Sequence, residues 1–596
     1  MGPGPQPVGF GQGRESSLPY VMQPPEPDLG NLTEDILDRL PEHADEAALA
    51  RMDGDTWTDI TLAEFHRDVT TVAKGLIGAG VSAGDRVALL SKTRYEWTVA
   101  DYAIWWIGAA TVPIYETSST SQIAWILSDS GAVAAIVESD GHAARVKEAA
   151  EEAPDLQHVW TIDAGGLDTI RSLGTDVSDA ALEERRAALT SDTLATLIYT
   201  SGTTGRPKGC QLTHGNFRYE LGVVLDELPE MFVPGSSTLL FLPLAHVFAR
   251  IIQVGAIRVG AKLGHTADVK DLVTHLGSFQ PTFVLGVPRV FEKVFNSASG
   301  KAYADGKGKI FDRAAQTAIS YSRALDSGKP GLALRARHAL FDRLVYGKLR
   351  DALGGRTEFA VSGGAPLGER LAHFYRGIGV TIIEGYGLTE TTAALCANRP
   401  SDLRLGTVGK PFKGTEVRIA DDGELSFRGP QVFKGYWRNP EATAEALDPD
   451  GWFATGDLGE IDEDGYIRIT GRKKEIIVTA GGKNVAPAAL EDRVRAHALV
   501  SQCLVVGDGK PFVAALVTID TETWTGSLDD PTLRAEVQKA IDDANTQVSQ
   551  AESIRKFQIL PEDWTEDNGY LTPSFKVKRS LVLRDFHDTV EALFVR

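Results

Sequence analysis

The stretch Tyr199-Thr-Ser-Gly-Thr-Thr-Gly-Arg-Pro-Lys-Gly209 closes an apolar run that begins at Leu194. Read as a strand passing into a loop, it gathers Gly202, Gly205 and Gly209, the hydroxyls of Thr200, Ser201, Thr203 and Thr204, and the ammonium of Lys208. Glycines let backbone N–H groups converge on phosphate oxygens, and a lysine adds a point charge. The loop therefore predicts a phosphate cradle. It is not the Walker form, in which the lysine is followed by Ser or Thr. Here Lys208 stands between Pro207 and Gly209, which argues against a P-loop kinase or GTPase.

Outward from this loop, short apolar runs (Arg86 to Leu90, Val133 to Val137) alternate with helical-period segments such as Leu62 to Leu76, the pattern of α/β layers on largely parallel sheets. From Gly409 the texture changes to short alternating strands, Glu416 to Ala420, Glu424 to Arg428 and Gly465 to Thr470, broken by Asp-Gly turns at 422–423 and 464–465. Mixed α/β character resumes after Gly471. The expected organisation is a Gly/Pro-rich flexible arm over 1–30, a large α/β domain over 31–473 whose residues 409–473 form a β-rich subdomain, and a smaller mobile α+β domain over 474–596.

A chain of 596 residues with net charge −20 has ample core, and its acidity disfavours broad nucleic-acid binding. Cys210, Cys396 and Cys503 fit neither a disulfide framework nor a metal-ligand spacing, which suits a reducing cytoplasm. The most apolar stretch, Tyr102 to Tyr115, is shorter than the ~20 residues of a membrane span and contains Pro113, so it predicts a buried helix leading into a strand. Neither a span nor a strongly basic amphipathic segment is evident.

The loop resembles the signature of the superfamily of acyl- and aryl-CoA synthetases, nonribosomal-peptide adenylation domains and beetle luciferase, and the likeness runs along the chain from about Leu32. Further motifs follow in the family's order. Val361-Ser-Gly-Gly-Ala-Pro-Leu367 resembles the turn that wraps adenine, through Gly363, Gly364, Ala365 and Pro366. Glu384-Gly-Tyr-Gly-Leu-Thr-Glu-Thr391, with Gly385 and Gly387, offers Tyr386 for base stacking, and the resemblance implies Thr389 at the α-phosphate and Glu390 as the Mg²⁺ ligand. It likewise implies Asp457 on the ribose hydroxyls, with Ile469 and Arg472 as further nucleoside contacts. In Leu571-Thr-Pro-Ser-Phe-Lys-Val-Lys-Arg579 the adenylation lysine is Lys576 by position; Phe575 stands where the family has glycine, which leaves Lys578 as a rival.

Adenylation brings a carboxylate, ATP and Mg²⁺ together, so electrostatic stabilisation governs the step and no covalent nucleophile is required. No Ser/His/Asp triad is assigned, despite Ser201 and His246. For the thioester step with coenzyme A, the resemblance implies rotation about a hinge at Lys474, with Ile476 to Gly482, and Gly481 in particular, along the pantetheine tunnel. Leu242-Pro-Leu-Ala-His-Val-Phe248 resembles the acyl-pocket motif of fatty acyl-CoA synthetases and lacks the Asp that pairs an amino-acid ammonium. It places His246 at the acid, and Gly286, within Pro281 to Lys293, is expected in the same pocket. Pro281 to Lys293 and Arg343 to Arg350 resemble the long-chain branch, as tunnel walls or as ordinary core. The expected activity is that of a bacterial AMP-forming long-chain fatty acyl-CoA synthetase using ATP, Mg²⁺ and coenzyme A. The rivals are a fatty acyl-AMP ligase serving a carrier protein, and a non-catalytic nucleotide or fatty-acid binding protein, against which Lys208, Glu390, Asp457, Arg472 and Lys576 argue. A cytoplasmic location, with peripheral contact at the inner membrane face, is compatible with an acid that partitions into bilayers. The oligomeric state, a dimer included, stays open.

Overall fold

A computed structural model describes residues 30–200, 206–267, 271–521, 523–566, 568–572 and 575–595. The fold is mixed α/β. Its central six-stranded sheet runs in the order His158–Thr161, Ala134–Val137, Arg86–Leu90, Ala110–Ile114, Leu194–Thr200, Lys208–Thr213. All neighbours are parallel except the last pair, in which Leu194–Thr200 and Lys208–Thr213 are antiparallel and hold Thr200 opposite Lys208. The helix Tyr95–Trp106 is buried at all but one position and leads into Ala110–Ile114, as the apolar stretch predicts. Pro113 lies beyond Thr111, where the pairing with Leu194–Thr200 is made, so its missing N–H interrupts no bond on that side.

A five-stranded sheet orders Phe283–Gly286, Phe359–Ser362, Thr381–Tyr386, Cys396–Ala397 and Lys410–Pro411, the first three parallel and the rest antiparallel. A four-stranded sheet joins Thr56–Thr61, Ala47–Asp53, Lys262–His265 and Ser237–Leu240. The alternating segment after Gly409 forms an antiparallel meander of Glu416–Ile419, Glu424–Arg428, Phe453–Ile461 and Ile467–Arg472. Beyond it, Val500–Val506, Val513–Ile519 and Ile554–Ile559 build a three-stranded sheet with hydrophobic clusters on both faces, one under the helices Pro487–Arg495 and Pro531–Asn545, the other around Trp564 and Leu571.

Deep in the main core, helix Tyr95–Trp106 is tied to helix Val247–Val259 by charge. The Arg250 guanidinium donates to Asp101 at 2.5 Å and to the Thr196 hydroxyl at 2.6 Å, while Gln253 and Thr111 donate to the same carboxylate. Arg250 and Asp101 are fully buried, and the guanidinium lies against the rings of Trp97 and Trp105. Such a pair tolerates burial because the carboxylate accepts three donors and the guanidinium is paired through both terminal nitrogens, although its Nε has no hydrogen-bond partner among the described residues.

No described helix is long and apolar enough to cross a membrane. Helix Leu332–Phe341 has no buried residue, and its exposed positions mix leucines with arginines. Only its His338, Phe341 side meets the protein, so its leucine spacing serves a face the core does not cover.

Candidate active site

One cavity of about 670 Å³ lies where the first two sheets, the meander and the C-terminal segment meet. Its lining includes Thr200, Lys208, Thr389, Glu390, Arg472 and Lys576 together with the apolar Leu221, Val224, Leu228, Phe232, Ile251 and Ile252. The cavity therefore combines anion-attracting groups with apolar walls. Of the other residues expected from sequence, His246, Gly363, Gly364, Gly385, Tyr386, Gly387 and Lys474 also line it. Ser201, Gly202, Thr203, Thr204 and Gly205 lie outside the described residues.

Each polar group is held by the elements around it. Lys208 opens the strand Lys208–Thr213, and its ammonium sits 4.9 Å from the centre of the Tyr436 ring. The Tyr436 hydroxyl donates to Glu390 at 2.9 Å, and Glu390 lines the cavity. A single carboxylate beside a threonine hydroxyl suits Mg²⁺, which completes its shell with phosphate oxygens and water. No cluster of three metal-ligating side chains occurs among the described residues. Tyr436 is a site residue that sequence reading missed; its only signal is the aromatic pair Tyr436-Trp437 in the meander segment, tied to the cradle by the bond from Trp437 N–H to Gly209 O.

Several expected contacts take a different place. Asp457 is buried and does not line the cavity: it accepts the Tyr386 hydroxyl at 2.6 Å and faces Arg472 Nε at 3.3 Å. Burial pushes its carboxyl up against the pull of Arg472 and Tyr386. Both oxygens are thus engaged, and Asp457 sets the pose of two cavity residues. Ile469 packs in a small apolar cluster alongside Tyr386. Gly286 does not line the cavity; its carbonyl accepts the Gly363 N–H at 3.4 Å. Nothing from Pro281 to Lys293 or from Arg343 to Arg350 lines the cavity either, and Val284, Phe291, Tyr346 and Leu349 are core residues there. Gly481 lies exposed in the turn between Ile477–Val478 and Asn484–Val485. Ala365 and Pro366 continue the turn past Gly364, outside the cavity lining.

Two glycines are required by geometry. Gly364 has φ +80°, with Lys576 Cε 4.0 Å from where a Cβ would sit, and a Cβ on Gly387 would lie 1.4 Å from the Ala393 carbonyl oxygen. The turn holding Gly364 is fixed by Glu384, which accepts the Leu367 N–H at 3.0 Å; enclosure pushes that carboxyl up to about 7. A native pKa raised above the unfolded value gives stability that is full below about pH 4.5 and lost as pH rises to about 7. Glu384→Gln keeps the acceptor but cannot ionise. It is expected to gain on the wild type by on the order of 3 kcal/mol between those limits, read from thermal midpoints against pH. Parallel profiles would contradict the assignment.

His246 caps helix Val247–Val259, its Nδ1 accepting the Phe248 N–H at 3.2 Å, so the proton resides on Nε2. Burial and the nearby Lys576 push its pKa down to about 3, which makes it a neutral donor at physiological pH. Lys576 is wrapped by protein yet reached by solvent through the cavity. Enclosure and the Arg472 guanidinium lower its pKa, while Asp457, Glu475 and Glu390 oppose that.

Phe575 has φ +60°, a left-handed backbone normally left to glycine. The tight turn, closed by Phe575 N–H to Thr572 O and Thr572 N–H to Lys576 O, presents Lys576 to the cavity. The strained residue is held because its ring packs both on the main core and on the C-terminal cluster around Trp564. Phe575→Ala keeps the strain and loses the packing, whereas Phe575→Gly loses both. The glycine variant should be about 1 kcal/mol more stable than the alanine variant, and both should adenylate more slowly than the wild type. Equal thermal midpoints of the two variants would rule out the left-handed turn.

Comparison with known proteins identifies the family. The family model described as AMP-binding enzyme matches residues 38–437, and that of the AMP-binding enzyme C-terminal domain matches 474–596. The "Long-chain-fatty-acid--CoA ligase FadD15" of Mycobacterium bovis is 52% identical, over 98% of this chain and 99% of its own. The human "Long-chain-fatty-acid--CoA ligase 1" is 29% identical over 85% of this chain and 78% of its own. Among solved structures, the adenylation domain of a carboxylate reductase from Mycobacterium chelonae superposes with a TM-score of 0.76 at 22% identity, covering 96% of this chain and 92% of that one. With two family models matched in order and a near full-length relative at this identity, the chain belongs to the AMP-binding enzyme family.

Proposed function

We propose that the protein is a long-chain fatty acid–CoA ligase, which joins the acid to ATP as an acyl-adenylate and then passes the acyl group to coenzyme A. The observation that carries this reading is a single cavity lined by both cationic and apolar side chains, in a chain so similar to a ligase named for that acid class. In the first step a carboxylate oxygen of the acid attacks the α-phosphorus of ATP, the bond to the β-phosphate oxygen breaks, and pyrophosphate leaves. Lys576 and Lys208 offset the charge gathered there, and His246 donates through Nε2–H at the acid's end. Glu390 would hold Mg²⁺, which supplies charge neutralisation on the phosphates. Leu221, Val224, Leu228, Phe232, Ile251 and Ile252 take the acyl chain and keep water from the mixed anhydride.

In the second step the thiolate of coenzyme A attacks the acyl carbon and AMP leaves. Lys576 takes no part in it, and the small domain over 474–596 turns about Lys474 to withdraw it. Acid-dependent exchange of labelled pyrophosphate into ATP tests the reading across a series of fatty acids. Exchange greatest with long-chain acids, with thioester formed when coenzyme A is added, is the expected result. No acid-dependent exchange would overturn it, and exchange without consumption of coenzyme A would assign the acyl group to a carrier protein.

A further inference from the structure

Helix Leu332–Phe341 and the π-helical turn Asp342–Tyr346 that continues it have two unlike faces. The inner face is anchored: His338 stacks on Tyr321 at 3.8 Å and bonds the Gly377 carbonyl at 2.6 Å, while Phe341 and Val345 pack on the main core. The outer face carries Leu332, Leu340 and Leu344, which are 81%, 56% and 55% exposed. With Ala336 they recur every four residues, so they form one stripe along the helix. Three exposed leucines along one face, two on a helix with no buried residue and the third on the turn that continues it, are not the scattered singles of an ordinary surface.

Charge indicates what covers this stripe. Arg335, Arg337, Arg343 and Lys348 flank it, and none of the four makes an ion pair with another described residue, whereas the acid among them, Asp342, is paired with Arg350 at 2.7 Å. This patch of uncompensated cations stands on a chain of net charge −20. An apolar stripe bordered by arginines, whose aliphatic stems lie along the apolar surface while their heads reach outward, is the build of a helix lying in a membrane interface. A second copy of the chain fits less well, because a two-fold contact through this face would set the cations of one copy against those of the other. We propose that the outer face of residues 332–348 docks on an anionic lipid bilayer, leucines in the headgroup–acyl boundary and arginines among the phosphates. The proposal does not depend on the reaction.

The test is sedimentation of the full chain with two sets of vesicles, phosphatidylcholine alone and phosphatidylcholine with phosphatidylglycerol. The expected result is at least about ten-fold stronger partition onto the anionic vesicles, weakened by high salt. L340Q/L344Q should cut partition to both kinds of vesicle, and R335E/R337E/R343E should abolish the anionic preference. These side chains are exposed, so thermal midpoints should match the wild type. Absence of partition by the wild type, or partition that neither variant changes, would overturn the proposal. So would a dimer in solution that L340Q/L344Q dissociates, which would assign the stripe to a second copy.

Discussion

Lys576→Ala is expected to lower the rate of acyl-adenylate formation by on the order of a thousand-fold while leaving the conversion of supplied acyl-adenylate and coenzyme A to thioester within a few-fold of the wild type. The expectation follows from where the side chain lies. Lys576 lines the cavity beside Arg472 and Gly364, among Asp457, Glu475 and Glu390, and its ammonium is already less comfortable than in water, so an arriving phosphate and carboxylate gain from it fully. Lys578 also lines the cavity, so Lys578→Ala is the necessary control. A small effect from Lys578→Ala and a large one from Lys576→Ala would assign the role to the residue that Phe575 positions. Equal loss of both half-reactions in Lys576→Ala would contradict the division of labour.

Asp101→Ala should destabilise the protein by about 3–5 kcal/mol, because it leaves the fully buried Arg250 guanidinium facing Thr196 and two tryptophan rings with no counter-charge. The effect should reach the cavity, since Arg250 belongs to the helix whose first turn is capped by His246. The double variant Asp101→Ala/Arg250→Met removes both charges and should recover most of the loss, as read from thermal unfolding midpoints. A double variant no more stable than Asp101→Ala alone would mean that the packing around Arg250, rather than its charge, is what matters.

Much of this molecule could be read in the chain because its signals are local. The run from Leu194 into the cradle, the Asp-Gly turns of the meander and the helix-to-strand passage from Tyr102 to Tyr115 all rest on spacing and turn chemistry within a few residues. Gly364 and Gly387 were legible for the same reason: only glycine fits a positive φ or a carbonyl in van der Waals overlap. What escaped depends on partners distant in sequence. Tyr436 reaches Glu390 across 46 positions, and Asp457 turns its oxygens to Tyr386 and Arg472 instead of the open cavity, neither of which a motif records. Gly286 was placed at the acid by the resemblance of its segment to the long-chain branch, but it does not line the cavity, and Phe291 and Val290 stand against it. The departure at Phe575 was visible as a substitution, yet its meaning, a glycine-like backbone held by packing on two cores, needed the fold.

The most direct test is a single-turnover reaction of the full chain with a long-chain fatty acid, ATP and Mg²⁺, quenched and resolved by mass, with and without coenzyme A. Enzyme-bound acyl-adenylate and one equivalent of pyrophosphate should form without coenzyme A, and the adenylate should convert to acyl-CoA and AMP when it is added. ADP and phosphate as products, or acyl-CoA formed with no adenylate preceding it, would contradict the account.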